Sequence, residues 1–227
     1  MDAKIKAMAL SGMMGLCLIL GILAALGGSW ITSDEWLEIE FNDSVNLETT
    51  YALNSMTLTL DTGEREECQY LILGFEEIFE GIDGECDGSE YIGTWGHSDS
   101  CEWAGEGEPE VPISGSIEDL QDDLCATETA GTMGTIGMWG GIICALLAVL
   151  IVTLPMAGVE YLDNIPDIAK MIVSWAAGGL MLVGIILWVL ILPDGDTSAG
   201  ASLWMAVCAS VLGLGAAAID QFIEVDQ

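Results

Sequence analysis

Four carboxylates and four cysteines carry most of the chemistry this sequence could perform. Asp83, Glu85, Asp87 and Glu90 stand in the run Asp83-Gly84-Glu85-Cys86-Asp87-Gly88-Ser89-Glu90. Alternate oxygen donors with a glycine at the sixth place are the spacing of a calcium loop. Thr94 occupies the twelfth place instead of a closing glutamate, and no flanking helices are evident. The run therefore admits low-affinity calcium binding by these four residues, outside any EF-hand. Two other readings of the acids stay open: solvation in salty water, and an electrostatic docking face for a basic partner. His97 is the only histidine. Beside Asp99 and near Trp95 it could act as a ligand or acid–base group, but a lone loop histidine ordinarily does neither. No serine, cysteine or carboxylate pair has catalytic spacing, so neither an enzyme nor a cofactor is expected.

Cys68, Cys86, Cys101 and Cys125 form an even set within one polar block, which on an oxidising side reads as two disulfides. Three pairings are possible. Neighbours close the shortest loops, which favours Cys68–Cys86 with Cys101–Cys125. Each bridge would stabilise by ~2–4 kcal/mol. Cys17, Cys144 and Cys208 lie in apolar runs and read as small packing residues.

The elements that must position these groups follow from composition. The chain has 227 residues, 4 Lys+Arg against 36 Asp+Glu, and a formal charge of −32. Nothing so acidic neutralises phosphates, which excludes nucleic acid as a partner. The charge is also unevenly placed. Residues 31–131 hold 27 of the acids and one base, Arg65. Four apolar runs reach the ~20 residues that cross a bilayer: Ala7–Trp30, Thr132–Leu154, Ile168–Leu192 and Ser198–Ile219. The first could serve as a signal peptide, but its length favours a retained helix. Lys4, Lys6 and Lys170 fall on one side of the membrane if both termini are cytoplasmic. The expectation is a multi-pass plasma-membrane protein with residues 31–131 outside and 155–167 inside. Residues 193–197 form a short outer turn, and 220–227 an inner tail. Trp30, Trp139, Trp188 and Trp204 would form an outer interface belt, with Trp139 the one expected to pack between helices. Lys170 is the only charge within these spans, and small residues recur at four-residue spacing, as at Gly137/Gly141 and Ser174/Gly178. A bundle without buried acids argues against a transporter or pump.

Strand-period alternation runs through the acidic block at Trp36–Phe41, Val45–Tyr51 and Met56–Leu60, with Tyr70–Phe75 a fourth candidate. Gly81–Glu110 reads as loop. Ser116-Ile117-Glu118-Asp119 reads as a capped start of a short helix leading into the second crossing. The fold class is thus membrane α+β: a four-helix transmembrane bundle with a β-rich, disulfide-stapled extracellular domain between helices 1 and 2.

This layout resembles the claudin and peripheral myelin protein family of tetraspan proteins. Trp30 just after the first helix and Ser116–Leu124 before the second occupy places comparable to that family's. The likeness is one of topology, since Gly93-Thr94-Trp95, Cys101 and Cys125 are spaced more widely than the family's signature. It implies a structural or interaction protein for cell-surface contact or membrane-complex assembly, with the lipid bilayer and a membrane-protein partner or a second copy as its companions. The acidic loops also admit a cation-responsive or pore-forming protein.

Overall fold

The structure is a computed structural model. It describes residues 3–33, 46–61, 68, 69, 72, 81–105, 117–156, 158, 165–192 and 197–223. The chain divides into two units. One comprises Met1–Gly27, Met133–Leu187 and Ala201–Gln227, and the other Gly28–Thr132 and Trp188–Gly200.

The first unit is helical. It draws on α1 (Ala3–Leu26), α3 (Ile117–Met156), α4 (Asp167–Ile191) and α5 (Ala201–Phe222). Each contains a segment long and apolar enough to cross a membrane, so this is a multi-pass membrane protein. Its packing is inverted relative to a water-soluble bundle. Ile5, Leu16, Ile19, Ile136, Ile143, Ile172, Val183 and Val211 face outward, whereas Ala145, Ala177, Ala209 and Ala216 are buried. Lipid tails are as apolar as leucine, so large side chains gain nothing by turning inward, and small ones let backbones touch. Gly137 meets Gly184 across α3 and α4, and Gly178 meets Ser210 and Gly213 across α4 and α5. Gly21 of α1 lies against Met181 and Ile142.

Helix α3 is 40 residues long, or about 60 Å at ~1.5 Å per residue. That is roughly twice a hydrocarbon core of ~30 Å. The expected short helix and second crossing are therefore one continuous helix. No glycine or proline breaker stands near Leu124, so nothing stops the helix from propagating. The residue expected to cap it, Ser116, lies outside the described residues.

The second unit is built on one six-stranded sheet with every pairing antiparallel, in the order β4-β5-β3-β2-β1-β6. Its strands are β1 (Ile31–Ser33), β2 (Asn46–Tyr51), β3 (Ser55–Asp61), β4 (Ile82–Asp87), β5 (Glu90–Gly96) and β6 (Thr197–Ala199). Alternation in β2 and β3 reads as expected: Thr49, Tyr51, Met56, Leu58 and Leu60 are buried on one face. Trp36–Phe41 lies outside the described residues. Of Tyr70–Phe75 only Ile72 is described, and it is helical, not extended.

Three findings correct the sequence reading. First, residues 81–105 are not loop. They hold the β4–β5 hairpin and α2 (His97–Gly105). Gly88, with a φ of 71°, turns the two-residue loop that a tight hairpin needs. Gly84 and Gly93 are cross-strand partners that hide the alternation, because the Tyr91 ring fills the space their side chains would take. Second, the first crossing ends at Leu26, and Trp30 belongs to the sheet unit. Third, the domain is not confined to the link between the first two crossings. Thr197–Ala199, expected as a turn and a helix start, forms the edge strand β6 and pairs with Ile31–Ser33 of β1. Backbone pairing satisfies the polar groups of β1, which outweighs the weak helical preference of Thr197-Ser198.

Candidate functional site

The sheet has a packed face and an open face. Ile31, Tyr51, Met56, Trp95 and Ile82 make one continuous buried row across it. Two helical segments of the same unit clamp its β2–β3 turn. The His97 backbone N–H donates to Asn54 O at 3.1 Å. The His97 ring Nε2 donates to Ala52 O at 3.1 Å, and the ring stacks near Tyr51 at 6.5 Å between centroids. Gly131 of α3 abuts the Leu53 carbonyl and the His97 ring, leaving no room for a side chain. Trp103 of α2 packs edge-on to Trp95 at 5.2 Å.

Disulfides Cys68–Cys86 and Cys101–Cys125 staple this unit. The first ties Cys68 to β4 and the second ties α2 to α3. They are the neighbour pairings the loop lengths favour.

The open face carries the chemistry. One row reads Asp83, Thr94, Thr57, Thr50, Thr32 and Ser198, one residue from each of the six strands. Thr32 and Ser198 hydroxyls are 2.6 Å apart. A second row reads Glu85, Ile92, Thr59 and Glu48, and a third Asp87, Glu90 and Asp61. All six of these carboxylate residues are exposed. Directly opposed like charges disfavour a sheet by ~0.2–1 kcal/mol per pair. Asp87, Glu90 and Asp61 face that penalty, and Ser89 Oγ donates to Asp61 Oδ1 at 3.3 Å.

The loop expected to wrap a calcium ion is thus a hairpin. Asp83, Glu85 and Asp87 point from one side of β4 at intervals of ~7 Å, whereas ligands of one ion converge at ~2.3–2.6 Å from it. Among the described residues no group of three or more His, Cys, Asp or Glu is placed to hold a metal.

The tryptophans separate into two pairs. Trp30 and Trp188 are both fully buried and pack edge-to-face at 5.1 Å, so they anchor the sheet unit. Trp139 and Trp204 are exposed on their helices, at 42% and 62%. Trp139, expected between helices, therefore faces outward.

The chain matches no protein-family model and no curated protein.

His97, expected in a loop, is instead enclosed. It is 3% exposed. Burial lowers its pKa from 6.5, opposed in part by the bond to Ala52. The imidazole is neutral with its proton on Nε2, since a carbonyl only accepts, and Nδ1 has no partner among the described residues. Unfolding exposes it and restores the ordinary value, so the unfolded chain binds the proton first as pH falls. The contribution of neutral His97 is complete above the unfolded value and is lost on acidification below it, towards the lower folded value. Melting of the sheet unit is expected to fall between about pH 7.5 and about pH 5.5. His97→Gln should flatten that slope while lowering the melting point at neutral pH. Equal slopes in variant and wild type would refute the assignment.

Proposed function

We propose that this chain is a non-catalytic membrane protein that presents the open face of its sheet for cell-surface contact or assembly of a membrane complex, as the claudin-like layout implies. The observation that carries the reading is the division of labour within the sheet. One face is packed with apolar side chains, and the other displays six exposed carboxylates interleaved with threonines. None of the residues in its three rows is basic. It fits a partner surface rich in lysine and arginine, for which opposite charge speeds encounter and screens out wrong partners.

Chain topology supports placing the sheet on one side of the membrane. Strands β1 and β6 pair, and α3 and α4 lie between them in the chain. Two crossings return the chain to the side it left. Lys6 and Lys170 open α1 and α4, which under the positive-inside rule makes their end cytoplasmic and the sheet extracellular.

Photocrosslinkers placed at positions 85 and 94, on intact cells, test the reading. They are expected to yield discrete crosslinked products that fade as salt rises, since exposed charge pairs are screened within ~8 Å at physiological ionic strength. A crosslinker at lipid-facing position 190 serves as the control. Absence of products at 85 and 94 at any salt, or products equal to those at 190, would overturn it.

A further inference from the structure

At the end of the bundle where α4 begins and α5 ends, a groove of about 340 Å³ opens between the two helices. Its volume falls within the ~300–1,000 Å³ of small-molecule sites. The lining is graded. Met171, Ile168 and Ala217 are apolar, whereas Lys170, Asp220 and Gln221 are polar. Across the groove Trp175 Nε1 donates to Gln221 Oε1 at 3.0 Å, which fixes the indole at the polar–apolar transition that tryptophan prefers.

The charges at the rim are loosely paired. Lys170 Nζ lies 3.4 Å from Asp167 Oδ1, one helical turn away. Asp220 Oδ1 lies 3.5 Å from Lys6 Nζ, and Lys6 spends its shorter bonds on the Asp220 and Ile223 carbonyls at 2.7 and 2.9 Å. Lys6 and Lys170 are therefore each paired with an aspartate at this end.

We propose that this groove binds the headgroup of a zwitterionic aminophospholipid, its phosphate on Lys170 and its ammonium on Asp220, with the first carbons of the lipid along Met171 and Ala217. Two features select this occupant. The groove sits at the terminus of two membrane-spanning helices, where a headgroup joins its hydrocarbon. The lining holds two acids, Asp167 and Asp220, and one base, Lys170, so a net anionic headgroup would add uncompensated negative charge, whereas a zwitterion adds none. A choline headgroup has no N–H to donate to Asp220 or Gln221, whereas an ethanolamine ammonium has three. Lys170 has only Asp167 as a partner among the described residues and keeps donors for the phosphate.

The test uses the full-length chain, stripped of lipid in mild detergent. Phosphatidylethanolamine or phosphatidylglycerol is then added, and bound lipid is read by native mass spectrometry. One phosphatidylethanolamine per chain is expected, at least about tenfold tighter than phosphatidylglycerol, as loss of a charge-assisted contact implies. Lys170→Gln should weaken retention about tenfold, Lys170→Arg should restore it, and Asp220→Asn should narrow the preference over phosphatidylglycerol. Equal binding of the two lipids, or unchanged retention in Lys170→Gln, would overturn the proposal. Competition by inorganic phosphate as effective as that by the lipid would reassign the groove to free phosphate and overturn it too. Should Lys170→Gln fold poorly, the Asp220→Asn and Lys170→Arg arms decide the matter alone.

Discussion

A chain lacking all four cysteines of the sheet unit is expected to lose that unit's cooperative melting altogether, with the helices still formed. The bridges close segments separated by 18 and 24 residues. By loop-closure entropy each is worth about 3 kcal/mol. Together they reach about 6 kcal/mol, within the ~5–15 kcal/mol that holds a whole domain. The effect is large because of where the bridges attach. Cys86 lies on the edge strand β4, whose apolar contribution is little more than Ile82. Cys101 joins the nine-residue α2 to α3, and a helix that short is marginal in water without a tether. Replacing Cys101 and Cys125 by alanine should release α2 and with it His97 from the β2–β3 turn. Replacing Cys68 and Cys86 should fray β4 first. Near-ultraviolet circular dichroism reports the sheet unit's tryptophans, and far-ultraviolet signal reports the helices. If the cysteine-free chain melts within a few degrees of wild type, the staples are ornamental.

Alanine at helix glycines should have opposite effects at neighbouring positions. In a helix Gly→Ala gains ~0.8–1 kcal/mol of backbone preference. Gly12 and Gly179 have open space where a side chain would go, so both variants should be as stable as wild type or more so. At Gly178 the new carbon would lie 2.5 Å from the Leu214 nitrogen and the Ser210 carbonyl oxygen, and at Gly137 2.5 Å from the Gly184 Cα. These are backbone atoms and cannot rotate away, so the helices must separate. Overpacking of this kind costs ~1–3 kcal/mol, which exceeds the propensity gain and reverses the sign. Leucine at the same two positions should prevent bundle assembly. Thermal unfolding in detergent of Gly12→Ala, Gly179→Ala, Gly137→Ala and Gly178→Ala tests the contrast. A uniform response across the four would mean the close approaches contribute nothing to stability.

How much could be read from residues alone depended on whether side chains or backbone carried the signal. Hydropathy located all four spans because lipid acts on side chains. Alternation located β2 and β3 because Thr49, Tyr51, Met56, Leu58 and Leu60 are large enough to register. It missed β4 and β5, where glycines occupy buried-face positions and one tyrosine covers both. It missed β6, whose three residues are held by backbone bonds to a strand more than 160 positions away in the chain. The burial of His97 was hidden for a similar reason. Its burial depends on Gly131 and the Ala52–Ser55 turn, and neither advertises a neighbour. The acidic run from Asp83 to Glu90 has the donor order of a metal loop, but spacing in sequence cannot distinguish a chain that wraps an ion from one that turns back on itself.

The pairing of β1 with β6 bears on biogenesis. Strand β1 leaves the ribosome early, yet its outer edge has no partner until Ala199 emerges, after α3 and α4 have been inserted. At ~5–20 residues per second, the open edge waits roughly ten to thirty seconds. Throughout that interval it is a template for any extended segment nearby. Correct threading of the last hairpin through the translocon is therefore the event that seals the sheet. A nascent chain with a misinserted helix would carry an unsealed border that quality control could recognise.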